Sequence, residues 1–158
     1  MQKLAHESNV DIILAQEHNL HPCRDAELKR IALERGFVLS IAYAPAAPDG
    51  VHRGGTLILT KMSTVEWPID SAGMRVPCVL HSEPGALVVQ VEWRGRTLKV
   101  GSVYVPCQPY ARIEFLLHME GWISEDMFLG GDWNCVPDVT LDVQSSSQHD
   151  GKHRTLGL

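Results

Sequence analysis

The chain has 158 residues, 44% of them hydrophobic and 21% charged, and its net charge is −5. That length fits one domain, and the composition supports a packed core, which excludes wholesale disorder. The acidic balance excludes a basic DNA-coating protein, but not one that grips phosphate through a metal and hydrogen bonds.

No apolar stretch is long enough to cross a membrane, and the opening residues lack the continuous apolar region of a signal peptide. Four cysteines lie far apart with no C-x-x-C pair, so free thiols and an intracellular, reducing setting are expected.

In chain order, "KLAHESN" reads as the end of an amphipathic helix. Val10 to Leu14 is β-rich and almost continuously apolar, which predicts a buried strand ending at Gln16–Glu17. After a loop at Pro22 to Arg24, Asp25 is a good N-cap for a helix with Leu28, Ile31 and Ala32 on its apolar face, stopped by Gly36. "FVLSIAYA" is a strand, "PAAPDGVHRGG" a loop, "TLILTKM" a strand and "TVEWPI" another short one. Asp70 to Gly85 reads as loop with a short strand at "VPCVL".

"ALVVQVEW", "RGR" and "TLKVGSVYVP" then form the clearest hairpin, with Gly95 in its turn. Pro106 and Pro109 end it. "YARIEFLLHMEGWI" has helical spacing, with Ile113, Leu116, Leu117 and Trp122 on one side, and "DMFLGG" is a short buried strand. Residues 143–158 are polar, without a core pattern, so the domain is expected over 1–142, with a loop and the start of a further element after it. Many strands, few helices and hairpin connections predict an α+β fold, a layered α/β sandwich.

Three strands end in polar residues: "DIILAQE", "GSVYVP" and "MFLGGDWN". Sites are built at such strand ends. If the three strands are neighbours, Glu17, Tyr104, Asp132 and Asn134 gather there. Asp132 and Asn134 are i, i+2 and point the same way in extended chain. A hard cation such as Mg²⁺ takes carboxylate oxygen and keeps several waters, so one or two carboxylates suffice. A second carboxylate can orient a water, and an amide or phenol can bond a phosphate. The bland readings are a solvated strand end for Glu17, a rim aromatic for Tyr104 and turn residues for Asp132 and Asn134.

The ordered motifs "DIILAQE", "RGGTLILTK", "VGSVYVP" and "FLGGDWNCVPDVTLD" resemble the endonuclease/exonuclease/phosphatase superfamily, and within it the endonuclease domain of non-LTR retrotransposons. The match runs from Leu4 to Asp142. The resemblance implies two β-sheets packed face to face with helices outside. It implies a metal-binding role for Glu17, scissile-phosphate contact for Tyr104, water orientation for Asp132 and phosphate holding for Asn134. Asp142 falls on a recurring acidic position with a structural role.

Mg²⁺, with Mn²⁺ as a substitute, is the implied cofactor. DNA is the implied substrate, and a reverse transcriptase domain is the implied partner in the parent protein. The family's first strand with its N-x-N-G motif, its late aspartate strand and its S-D-H motif have no counterpart in these residues. The resemblance therefore implies an incomplete sandwich and a truncated endonuclease. Two alternatives stay open: a non-catalytic remnant or binding module, and a phosphatase of the same superfamily.

Other features have bland readings. Trp133 reads as packing and Arg53 as a solvated loop arginine. His18, His21 and Cys23, and separately Cys135 with His149 and His153, are weak metal signals that lack matching partners.

Overall fold

The computed structural model describes residues 10–69, 71 and 76–135. The predicted N-terminal helix, Asp142, His149, His153 and the 143–158 segment lie outside these residues.

Strands β1 (Ile12–Gln16), β2 (Phe37–Ala42) and β3 (Thr56–Lys61) form one antiparallel sheet in the order β1-β3-β2. A second sheet contains β4 (Val65–Glu66), β5 (Cys78–Glu83), β6 (Ala86–Trp93), β7 (Arg96–Tyr104) and β8 (Met127–Asp132). Its order is β4-β6-β7-β8, with β5 also paired to β6. Every pairing is antiparallel except β7 with β8, which run parallel. Helix α1 (Asp25–Glu34) covers the outside of the first sheet, and α2 (Pro109–Met119) connects β7 to β8 and packs outside the second.

Strand alternation explains the layering. Ile12 and Leu14 face inward, with Val38, Ile58, Leu87, Val89, Val91 and Val100, and form the core between the sheets. The intervening Ile13 and Ala15 face outward, where Phe37, Leu39, Leu57 and Ala32 make the layer beneath α1. In the second sheet Val103 and Val105 face outward with Met119 of α2, joined by Phe115, Trp122, Leu129 and Trp133. Burying a side chain such as Leu87, which is 1% exposed, contributes about 2 kcal/mol. The sandwich with outer helices expected from the sequence is thus present.

The hairpin turns at Arg94 and Gly95, with φ of 51° and 74°. Positive φ at both central positions marks the turn whose twist matches that of its strands.

Five details differ from the sequence reading. β1 is half-buried rather than buried: it lies at one edge of its sheet, while α1 packs against β2 at the other. Asp25 is the first residue of α1 instead of its N-cap: a 3-10 turn at Pro22–Arg24 precedes it, and Asp25 accepts from Tyr43 Oη at 2.9 Å. The face of α2 that packs carries Phe115 and Met119, joined by Trp122 from the turn that follows, while Ile113, Leu116 and Leu117 are exposed. β8 pairs on one side only, and Phe128 is 63% exposed. The strand at 76–80 was also underread, since β5 continues to Glu83.

Candidate active site

Glu17 follows the last residue of β1, Tyr104 ends β7 and Asp132 ends β8. Tyr104 and Asp132 are direct partners in the parallel pairing, so their side chains leave the sheet side by side. Tyr104 lies one residue from Val103 and Val105, which face α2, and therefore points the other way, toward the first sheet. There its hydroxyl donates to Glu17 Oε1 across the gap between the sheets.

Directly beneath, Gln16 Nε2 donates to Ser102 Oγ at 2.9 Å, and Ser102 Oγ donates to the Ala15 carbonyl at 3.2 Å. Ser102 is buried. These bonds fix the spacing of the two sheets just below the rim.

The local chain is shaped for this. Glu17 and Asn19 both have φ of 51°. A left-handed glutamate costs about 1 kcal/mol or more, and such positions persist only where the surroundings hold them. Here the hold is visible. Asn19 N–H donates to the Gly54 carbonyl at 3.1 Å, and Gly54 N–H donates back to Asn19 Oδ1 at 2.7 Å.

Between them, His18 Nδ1 accepts from Leu20 N–H at 3.0 Å, which leaves Nε2–H to donate to the Ala42 carbonyl at 3.1 Å. Burial pushes the His18 pKa below its usual value, with the bond to Ala42 opposing. His18 is a neutral structural clip with both ring nitrogens engaged. A Cβ on Gly55 would fall 2.4 Å from His18 Nε2, which accounts for glycine in "RGG".

The second half of the site is a turn. Asp132 Oδ1 accepts from Asn134 N–H at 2.9 Å, and Asn134, at φ 46°, donates its side-chain amide to the Val105 carbonyl at 2.7 Å. Both residues play the turn-forming part that asparagine and aspartate favour, yet Asp132 stays exposed at the rim. A Cβ on Gly131 would lie 1.8 Å from the Val103 carbonyl oxygen, which accounts for the second glycine of "FLGGD". The glycine lets the two backbones approach. Trp133 packs in the outer cluster.

The electrostatics are those of an anionic rim. The bond to Glu17 is the main cause that raises the Tyr104 pKa to about 12, with burial, the Glu17 charge, Cys107 and Asp132 adding to it. Tyr104 is therefore a protonated donor throughout the neutral range. Two carboxylates and a phenol, with a backbone turn between them, form an oxygen donor set that fits a hard divalent cation.

All four residues expected at the strand ends meet at this rim. Sequence reasoning missed Gln16 and Ser102, although both lie inside the motifs it singled out. The weak trio behaves differently: His21 packs edge-to-face against His52 with ring centroids 4.7 Å apart, and His18, His21 and Cys23 form no ligand group among the described residues. Arg53 is solvent-facing and pairs with Asp49 at 2.6 Å. All four cysteines are free.

No family model and no curated protein matches the chain. Solved structures do. A humanized D. rerio TDP2 shares 18% identity over 80% of this chain and 53% of that one, with a TM-score of 0.49. The human Nocturnin catalytic domain shares 13% over 80% and 52%, with a TM-score of 0.45. The endonuclease domain of TRAS1, a telomere-specific non-LTR retrotransposon, shares 16% over 80% and 62%, with a TM-score of 0.43.

These structures have the endonuclease/exonuclease/phosphatase fold. The chain spans about half the length of the first two.

Proposed function

We propose that the chain carries the metal- and phosphate-holding rim of a phosphodiester hydrolase acting on DNA. The observation behind this is the meeting of Glu17, Tyr104, Asp132 and Asn134 from three strand ends on two sheets. Glu17 would hold Mg²⁺, or Mn²⁺ in its place. When bound, the cation polarises a phosphoryl oxygen and stabilises the leaving oxygen. Tyr104, whose single O–H is held by Glu17, would turn it to a phosphoryl oxygen as a hydrogen-bond donor once that carboxylate takes the cation. Asp132, oriented by the Asn134 N–H, accepts from the attacking water. Asn134 spends one amide hydrogen on Val105 and directs the other to phosphate.

The wording of the motifs supports the non-LTR retrotransposon type, with an intracellular setting and a reverse transcriptase domain in the parent protein. The test is nicking of supercoiled plasmid by the purified chain with Mg²⁺. Nicking lost in Glu17→Gln and Asp132→Ala supports the assignment, and nicking unchanged in either variant overturns it. Turnover of a soluble phosphoester but not of DNA would replace it with a phosphatase.

A second reading is favoured by one observation. The hydrogen bonds of the four rim residues run to one another and to backbone, and His18 is committed to its own loop. No described imidazole stands ready as a base at this rim. A binding module that holds DNA without turnover would show Mg²⁺-dependent DNA binding, weakened by Glu17→Gln, and no nicking.

A further inference from the structure

The opposite face of the five-stranded sheet carries a second cluster. His81 and Glu83 are i, i+2 on β5 and share one face of that strand. His118 comes from the last turn of α2. Packing of α2 brings it over β5, so that His118 Nε2 lies 3.3 Å from Glu83 Oε2 and His81 Nε2 lies 3.3 Å from Glu83 Oε1. One ligand atom from each of the three residues lies within 4.8 Å of the other two. The His81 ring is stacked on Trp122, centroids 4.4 Å apart and 17° from parallel, which fixes its orientation.

Two further facts point to a ligand. His81 Nε2 and Glu83 Oε1 are both shut off from solvent and face each other at 3.3 Å without making a hydrogen bond, to each other or to any other group. A buried imidazole nitrogen and carboxylate oxygen left in this way cost stability. The distances also match a bound ion. Donors 2.0–2.1 Å from a tetrahedral centre stand about 3.3–3.4 Å apart; each imidazole Nε2 already stands that far from one oxygen of Glu83, and with one donor atom per residue the three lie within 4.8 Å, so a small closure completes the set.

We propose that His81, Glu83 and His118 bind a transition metal, Zn²⁺ first among them, with water in the fourth position. Two imidazoles and a carboxylate are borderline donors that suit zinc better than Mg²⁺ or Ca²⁺. The site is separate from the Glu17 rim and does not depend on the reading given for it. Its effect is to fasten the end of α2 to the strand that borders β6, which α2 otherwise reaches only through apolar packing.

Titration of the metal-free chain with ZnCl₂ tests this, followed by calorimetry and by thermal unfolding. One equivalent should bind at micromolar or tighter concentration and raise the Tm. His118 is 60% exposed at its side chain, so His118→Ala leaves the fold intact and should weaken this binding at least tenfold and abolish the Tm shift. Glu83→Gln should do the same. His21→Ala, in the other histidine pair, should leave both unchanged. Co²⁺ in place of Zn²⁺ should give the intense visible absorption of a tetrahedral centre. No zinc binding in the micromolar range, or binding equally tight in His118→Ala, overturns the proposal.

Discussion

Strand β1 begins and ends beside a carboxylate, and the two are treated in opposite ways. Asp11, at its start, is closed in. Thr64 Oγ1 donates to one oxygen at 2.8 Å, Trp93 Nε1 donates to the other at 3.1 Å, and Arg94 stands 3.6 Å away. Thr64 and Trp93 flank the sandwich beyond β3 and at the end of β6, so Asp11 ties the sheets together there. Glu17, at the other end, is exposed and takes one bond, from Tyr104. The difference separates a carboxylate consumed by structure from one held open. Asp11 has both oxygens engaged by the fold, whereas Glu17 and Asp132 each have one oxygen without a hydrogen bond and stay exposed, open to a cation or a water.

Removing each carboxylate should break this contrast in different measures. Asp11→Ala leaves the Trp93 indole and the Thr64 hydroxyl without their acceptor. It should cost roughly 2–4 kcal/mol, read as a lowered urea midpoint. An unchanged midpoint would show that Asp11 is not the tie described.

Acid should reach the same group. The bond from Thr64, then that from Trp93, lowers the Asp11 pKa from its usual 3.8. A carboxylate with a depressed folded pKa contributes stability above its unfolded value and loses it as the pH falls through the folded one. The acid limb below pH 4 should therefore be shallower in Asp11→Asn than in the native chain.

Tyr104 gives a smaller effect at the other extreme of pH. Its folded pKa is raised from 10.0 to about 12. The folded state holds the proton longer than the unfolded one, so this contribution is full below pH 10 and disappears between 10 and 12. Thermal melts of Tyr104→Phe should lose that part of the alkaline decline.

Smallest of all should be the stability change in Glu17→Gln. It should stay within about 0.5 kcal/mol, as for other exposed positions, while metal-dependent nicking is lost. A large stability loss there would make Glu17 another Asp11.

How much of this was legible in the sequence follows from the range of the interactions. β-branched runs marked β1, β2, β3, β6 and β7, and Gly95 marked the hairpin, because pleat and turn are local properties. The packed side of α2 was misread. "IEFLL" places apolar residues at 113 and 115–117, so helical period alone does not choose a face. The sheet chose Phe115 and Met119. "DMFLGG" reads as buried because its composition is apolar, but burial also depends on what covers the strand, which topology decides.

At the rim, Glu17, Tyr104, Asp132 and Asn134 were readable from strand ends and motif order. The Gln16–Ser102 cross-tie was not, since its partners are 86 residues apart. His81, Glu83 and His118 gave no usable signal. H-x-E is short and common, and its third member arrives only when α2 docks.

The parallel pairing of β7 with β8 also sets an order of events. β6 and β7 close through a two-residue turn, a local step. β8 reaches the sheet only after the chain has left β7, formed α2 and returned, a crossover that parallel strands require. It also leaves the ribosome after every other described strand. The rim is therefore assembled in halves: Glu17 and Tyr104 can find each other while synthesis is under way, and Asp132 and Asn134 join them last. Burial of Trp133, which follows directly on Asp132, is the optical signal that this final step has occurred.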